Sequence, residues 1–430
     1  MKFPVCIRSA VLLVSLALLP AVAMAQGASL HGFGPINSSM GGAGAALPED
    51  SLNALGFNPA LLTAAEGNQI SFTTEFFKDD IQIRTCAGAA CGDTHPTTQL
   101  SIAPSFGWMV RDPHKKLALG FGLIAVAGFG TDYPQDNASL LFAQPPSGFG
   151  RIYTGYQVTK IPVAFAYQVT PKLSVGVSVN VYVGQFYVAP LPYNQFDTDA
   201  SGNRWYPEAG KPSQRFAVAG QFGFYYQPTS MLAIGGSITT PQNYSAYSWN
   251  STNADPASVL YGTARTVSYD LDGPMLANWG VGIKVNKSTR VAVDGMFTKY
   301  SGVSGFGSPG GIVNGIVYPF GWRNVWTFKT GVEHQMTDKA TMRVGYNYSQ
   351  MPLRPEVVIS ATGAPATFQH HITGGIGIKI FPFLSAEVAA YWVPRQHVVG
   401  PFPNLQNVNQ GSLDESNSLK SALIGLNFKF

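Results

Sequence analysis

The residues able to do chemistry are few and poorly arranged for it. The chain has no Gly-x-Ser-x-Gly segment, and its seven histidines do not announce a nucleophile, base and acid. An acyl-transfer site is therefore not expected, and the sequence reads as a non-enzyme. His370-His371 and Glu333-His334 fall in segments read as strands, where adjacent side chains point to opposite faces, so neither pair makes a metal site by itself. A satisfied interior residue is the expectation for each. Gly42-Ala43-Gly44 has no strand before it, and Leu47 holds the place of the third glycine, which removes the dinucleotide-loop reading. Cys86 and Cys91 lie five apart in the polar stretch Thr85 to Gln99. They read as a loop disulfide of an exported chain; the alternative, a two-cysteine metal site, would need further ligands, and His95 alone does not complete the usual four. No cofactor is expected.

Those residues must be positioned by elements with period two. In the last ten residues, Ala422, Ile424, Leu426, Phe428 and Phe430 share one face, opposite Leu423, Gly425, Asn427 and Lys429. A helix cannot use that spacing, whereas an outer-membrane strand commonly finishes this way, with an aromatic carboxyl terminus. The amino end agrees. Lys2 and Arg8, an apolar run from Val11 to Leu19, and Ala23-Met24-Ala25 form a cleavable secretory signal over residues 1–25, so the mature chain is expected to begin at Gln26. Cys6 leaves with that leader.

Composition narrows the class. Without Lys2 and Arg8 the chain keeps 25 basic against 23 acidic residues, a net charge of +2, which gives no field for nucleic acid. Charged residues are 12% and hydrophobic ones 45%, yet beyond the leader no apolar stretch reaches the roughly 18 residues of a spanning helix. The most continuous stretch, Leu117 to Phe129, holds Gly120, Gly122 and Gly128, and reads as a buried or kinked strand.

From Ile70 onward alternating strands are joined by short turns and long loops in strict succession. Leu173, Val175, Val177, Val179, Val181 and Val183 oppose Ser174, Gly176, Ser178, Asn180, Tyr182 and Gly184, and the same pattern recurs over 216–226 and 372–380. Tight turns are expected near 111–116, 170–172, 228–230, 286–288, 337–339 and 381–383, with long connections near 190–212, 241–264, 302–320 and 353–368. This is the signature of an all-β, fourteen-stranded antiparallel transmembrane β-barrel over 70–430, which satisfies every backbone group without an exposed edge. The strands are placed at 70–84, 97–110, 116–131, 151–169, 172–188, 213–227, 230–247, 262–286, 289–302, 321–336, 340–352, 369–381, 384–397 and 418–430. Trp108, Tyr133, Tyr226, Trp279, Tyr300, Trp322, Trp326 and Trp392 gather toward strand ends, as girdles at two lipid interfaces would, with some falling instead in loops or lumen. Ahead of them, residues 26–69 do not alternate and read as a compact insert of turns and short helices.

In this segment the chain resembles the FadL and TodX family of outer-membrane transporters for long-chain fatty acids and other hydrophobic compounds. The matching residues are Met40-Gly41-Gly42-Ala43-Gly44-Ala45-Ala46, the tripeptide Asn58-Pro59-Ala60 with Leu61 and Leu62, Trp326-Thr327-Phe328-Lys329-Thr330-Gly331, and the closing Phe430. The resemblance implies a monomeric barrel, an N-terminal hatch over residues 26–69 that plugs the lumen, and a third strand that kinks to open a lateral gap; Gly120, Gly122, Gly128 and Gly130 lie in that strand. It implies as partners a long-chain fatty acid or other hydrophobic small molecule, outer-membrane lipid and lipopolysaccharide, and the barrel assembly machinery through Phe430. A fatty-acid headgroup needs a cation, and Arg323 resembles one of the family's basic pocket residues. At the end of the fifth strand, where a second is expected, the chain reads Val188-Ala189-Pro190-Leu191. That departure favours a neutral substrate such as an aromatic hydrocarbon. A general diffusion porin is the rival, but porins line a wide lumen with charge, and this chain has few charges. A purely structural or adhesive barrel is the remaining alternative.

Overall fold

The computed structural model describes residues 27–430 apart from 98–99, 113, 115, 194, 314–315 and 404–408. The secretory leader and the start at Gln26 lie outside the described residues. Fourteen strands form the wall: β1 (Gln69–Ala87), β2 (Ser101–Asp112), β3 (Leu117–Tyr133), β4 (Ile152–Thr170), β5 (Leu173–Ala189), β6 (Ala209–Tyr226), β7 (Leu232–Thr239), β8 (Met275–Lys284), β9 (Thr289–Lys299), β10 (Val325–Gln335), β11 (Ala340–Ser349), β12 (His370–Phe381), β13 (Leu384–Pro403) and β14 (Asn409–Lys429). Each pairs antiparallel with its neighbours in sequence. Closure comes from β1, which pairs with β2 from Gln69↔Met109 to Phe77↔Ser101 and with β14 from Gln69↔Lys429 to Cys86↔Ser412. Phe430 seals the seam, its N–H donating to the Asn68 carbonyl and its own carbonyl accepting the Asn68 N–H, both at 3.0 Å. A short strand, Ala90–Thr94, folds back on the tip of β1, setting Cys86 opposite Cys91 with sulfurs 2.06 Å apart.

The two faces of the wall separate by period. On β5 the valines point out, with Val177 and Val179 exposed, while Ser174, Gly176, Ser178 and Asn180 are buried inside. On β14, Ile424 and Leu426 face out and Leu423 and Asn427 face in. Exposed Tyr226, Trp279, Trp326 and Trp392 stand on the outer surface, whereas Tyr133, Tyr300 and Trp322 are buried in the interior.

The strand expectations hold in number and differ in extent. The segments 230–247 and 262–286 each merge a wall strand with an arm of a separate hairpin, Tyr247–Thr252 paired with Ala264–Tyr269. Pro241 and Pro274, which have no N–H to give a ladder, mark the breaks. At the other extreme β13 and β14 run well past 397 and begin well before 418, because the ladder continues into a region where the outward face turns polar.

The interior is filled by residues 27–68. Their elements are α1 (Gly34–Ser39), α2 (Ser51–Gly56) and a 3-10 turn (Pro59–Thr63). Asp50 caps α2, its Oδ1 accepting the Asn53 N–H at 2.9 Å.

Candidate functional site

A buried hatch with little sheet or helix of its own must find partners for its backbone groups on the wall. It does so through inward side chains of the strands. Asp294 on β9 accepts the N–H groups of Gly44 and Ala45 at 2.7 and 2.8 Å with one carboxylate oxygen. Lys329 on β10 donates to the His31 carbonyl at 3.1 Å and lies 4.3 Å over the Phe57 ring. The Thr373 hydroxyl donates to the Ser39 carbonyl and accepts the Gly41 N–H, and Asn347 reaches the Gly41 carbonyl at 3.1 Å. Lys329 and Gly331 belong to the segment that carries the family resemblance, and a Cβ at Gly331 would come within 2.8 Å of the Met40 Cα.

Asn58-Pro59-Ala60 is the tightest part of the seat. The Asn58 Oδ1 accepts the Ala60 N–H at 3.1 Å, opening the 3-10 turn, while its Nδ2 donates to the carbonyls of Ala45 and Phe224, both at 2.9 Å. The wall makes room with Gly176 and Gly223, which face each other across β5 and β6. A Cβ on Gly176 would stand 2.4 Å from the Ala60 nitrogen, and one on Gly223 would stand 2.1 Å from the Asn58 oxygen. Inside the hatch, Gly42 has φ +75°, and a Cβ there would meet the His31 carbonyl oxygen at 1.7 Å, so no other residue fits.

The third strand has two unlike halves. Its lower half pairs with β2 from Asp112↔Leu117 to Phe106↔Leu123, and there the pairing ends; Ser101 to Ser105 of β2 pair only with β1. Immediately above, β3 bulges against β4 between Ala125 and Ala127. The hatch's first described residues occupy the parted edge. Ser29 bridges Ala127, the Leu30 N–H donates to the Val126 carbonyl at 3.0 Å, and the Gly128 N–H donates to the Ala28 carbonyl at 2.9 Å. The four glycines of the strand thus have separate surroundings. Gly120 and Gly122 sit against Leu55 and Leu62 of the hatch, Gly128 carries one of the two patching hydrogen bonds, and Gly130 pairs with Gly155 of β4.

Behind this patch lies an apolar chamber of about 60 Å³, lined by Phe33, Phe57, Tyr156, Leu276, Met296, Tyr300 and Phe306. An engineered cavity of roughly 150 Å³ takes up benzene, so a solute entering here must displace side chains or hatch. Among the described residues one cation lines it. Lys160, from β4, is buried, and its Nζ donates to the carbonyls of Leu55 and Gly56 at 2.8 and 3.1 Å and to the Gln221 Oε1 at 2.8 Å. Sequence reasoning passed over Lys160; the available signal was a charge on the small, inward face of its strand.

The structure places Arg323 outside the chamber: it is exposed, and its Nε donates to the Met351 carbonyl at 2.9 Å. The segment Gly321 to Asn324 precedes β10. The histidines also differ from expectation in part. His370 and His334 have hydroxyl partners, Tyr346 at 2.7 Å and Thr289 at 3.0 Å. His371 is buried without a hydrogen-bond partner among the described residues and stacks on His31 at 5.0 Å. Burial holds the His31 ring down at about 3, against the raising effect of its Ser38 carbonyl contact and assisted by Lys329, so it stays neutral at ambient pH. At the short-turn end, Arg343 bridges Glu333 and Glu387 at 2.8 Å each, beneath Glu49 and Asp50 of the hatch.

A closed even-stranded barrel with an apolar outer face and a lumen filled by its own amino-terminal segment is a plugged outer-membrane channel. The chain belongs to the outer membrane protein transport protein family (OMPP1/FadL/TodX), whose model matches residues 16–360. Its place is the bacterial outer membrane, and the family serves transport of hydrophobic compounds. Three solved structures share the fold. The Pseudomonas putida toluene transporter TodX is 18% identical, with 93% of this chain and 99% of that chain covered and a TM-score of 0.68. A Pseudomonas aeruginosa FadL homologue is 16% identical over 94% and 100%, with a TM-score of 0.70. The Ralstonia pickettii toluene transporter TbuX is 18% identical over 93% and 99%, with a TM-score of 0.66. No curated protein matches the chain in sequence.

Proposed function

We propose that this protein takes up long-chain fatty acids or similar hydrophobic compounds passively, holding them in the lumen chamber and releasing them sideways where β2 and β3 part. The observation that carries the reading is the patched break between β2 and β3. A wall interrupted beside an apolar chamber, and closed there by two hydrogen bonds from the hatch, is built to part at that place. Each methylene brought from water into such a chamber contributes roughly 0.8 kcal/mol, so no energy source is needed. Lateral passage keeps the tail in hydrocarbon, and hatch movement need only change the relative affinity of successive sites.

Lys160 is the carboxylate partner in this reading: a solute carboxylate would take over the N–H donors now given to Leu55, Gly56 and Gln221. The opposing reading, a monoaromatic hydrocarbon channel, draws on the same chamber. All three of those donors are already engaged, and aromatic rings dominate the lining, with Tyr300 and Phe306 5.5 Å apart. TodX and TbuX are described as toluene transporters, which suits that alternative. The wider setting is a monomer exported with a cleaved leader over residues 1–25, inserted by the barrel assembly machinery through exposed Phe430, and receiving solute from lipopolysaccharide-associated pools.

The test is uptake by purified protein in proteoliposomes, comparing oleate with toluene in wild type, Lys160→Met and Arg323→Ala. Oleate uptake falling about tenfold in Lys160→Met, with toluene unchanged, is the expected result. Toluene uptake without oleate uptake would make it a hydrocarbon channel, and passage of small sugars with neither would make it a porin. Arg323→Ala is expected to change nothing.

A further inference from the structure

Above the chamber, where the outward residues of β1 become Lys78, Asp80, Gln82 and Arg84, the wall has left the hydrocarbon while its lumen stays closed. Here β14 turns Glu415 and Asn417 to the inside, two residues apart and so on one face. Both are fully buried, and neither carboxylate oxygen of Glu415 nor either amide atom of Asn417 has a hydrogen-bond partner among the described residues. They stand between apolar neighbours, Ile83 and Val398 flanking Glu415 in register. From the top of β3 the Tyr133 hydroxyl is also buried and has no hydrogen-bond partner among the described residues. Opposite Asn417 the ladder with β13 is broken by a bulge between Val393 and Gln396, an irregularity of the kind that re-aims side chains at a site.

Buried polar groups left unpaired side by side are costly to a fold, and replacing them by apolar residues of like size would remove that cost. Glu415 offers acceptors, and a donor as well when protonated, and Asn417 offers two donors and an acceptor. A hydroxyl gives a proton and takes one, so a single hydroxyl placed there serves Glu415 and Asn417 at once, whereas a hydrocarbon serves neither.

We propose that Glu415 and Asn417 form a second binding site, at the long-loop end of the lumen, for the hydroxyl group of an otherwise apolar alcohol or phenol. The proposal rests on the reading of the chain as a channel for hydrophobic compounds, and narrows the solutes it admits. Sites built to hydrogen-bond a hydroxyl discriminate strongly against the analogue that lacks it.

The experiment measures binding of p-cresol and toluene, which differ by one hydroxyl, to the full chain in nanodiscs. It compares wild type, Glu415→Gln, and the double variant Glu415→Leu with Asn417→Leu. The expected result is a loss of about tenfold or more in p-cresol affinity in the double variant, a smaller loss in Glu415→Gln, which keeps hydrogen-bonding groups, and toluene affinity unchanged in both. The double variant should also be at least as heat-stable as wild type, which separates lost recognition from lost fold. Unchanged p-cresol affinity, or an equal fall for both ligands, overturns the site while leaving the channel reading standing. Binding of neither ligand by wild type overturns the channel reading and the site with it.

Discussion

The body of the hatch and its amino-terminal arm are held to the same wall by different means. The body, from Met40 to Thr63, is fixed by buried side chains that reach in from the strands, among them Asp294 and Lys329, and by glycines that let its backbone lie against the sheet. The arm, Ala28 to Leu30, has two backbone hydrogen bonds to an interrupted strand and the Tyr300 hydroxyl at 3.2 Å from the Ala28 nitrogen. Charge-assisted hydrogen bonds are worth about 1.5–3 kcal/mol and ordinary ones about 0.5–1.5. In the proposed reading, the contrast assigns opening of the wall to the arm, with the body staying seated.

The comparison breaks most severely at Asp294. Asp294→Ala leaves the Gly44 and Ala45 amides buried and unpaired and takes a counter-charge from Lys329, a loss of about 3–4 kcal/mol to the seat. Amide exchange should rise by two orders of magnitude or more in residues 40–63 while strand amides keep their protection; protection unchanged in both would mean the body is not held there.

A second effect comes from pH. Burial pushes the Asp50 carboxyl up from 3.8 to about 6, so the seated hatch prefers it protonated. Seat stability is therefore full below pH 3.8 and is lost as pH rises through about 6, by up to roughly 3 kcal/mol. Asp50→Asn, which keeps the helix cap, should flatten the dependence of hatch unfolding between pH 4 and 7. A slope that survives the substitution assigns it to another group.

Replacing Asn58 and Pro59 together with alanine removes a cap and two donors, a loss of about 2 kcal/mol confined to the hatch, with the barrel intact by heat-modified gel mobility. Wild-type uptake alongside a wild-type fold would remove the tripeptide from the mechanism. The smallest change in stability, about 1 kcal/mol, is expected on deleting residues 27–30 behind an intact leader. Solute passage should nonetheless rise severalfold in that variant. Passage falling to zero instead would make the arm part of the path and reverse the contrast between the two regions.

The fold was legible because its signal is local. Alternation on β5 or β14 can be counted in ten residues, and lipid outside with lumen inside makes the two faces differ sharply. Where the strands rise beyond the lipid, as over 409–417 of β14, the outward face becomes polar too, and the contrast that announced the strand disappears while its ladder persists. Within the seat, Asn58-Pro59-Ala60 was reached through the resemblance, and its turn chemistry is sequential. Lys160, Asp294 and Lys329 are single charges in separate strands, converging only after closure across sequence distances that no short pattern spans. Arg323 was reached by resemblance without any register to show which way it points.

The glycines facing the hatch have a consequence for exchange of parts. Gly176 and Gly223 are the cast of Asn58 to Ala60, and Gly331 with its partner Gly345 is the cast of Met40 and Gly41. A mould accepts one casting. A transplanted hatch that lacks Met40-Gly41 or Asn58-Pro59-Ala60 should fail to seat in this barrel and leave an open pore, so plug and barrel are inherited as a matched set, and a substitution in either is constrained by the other.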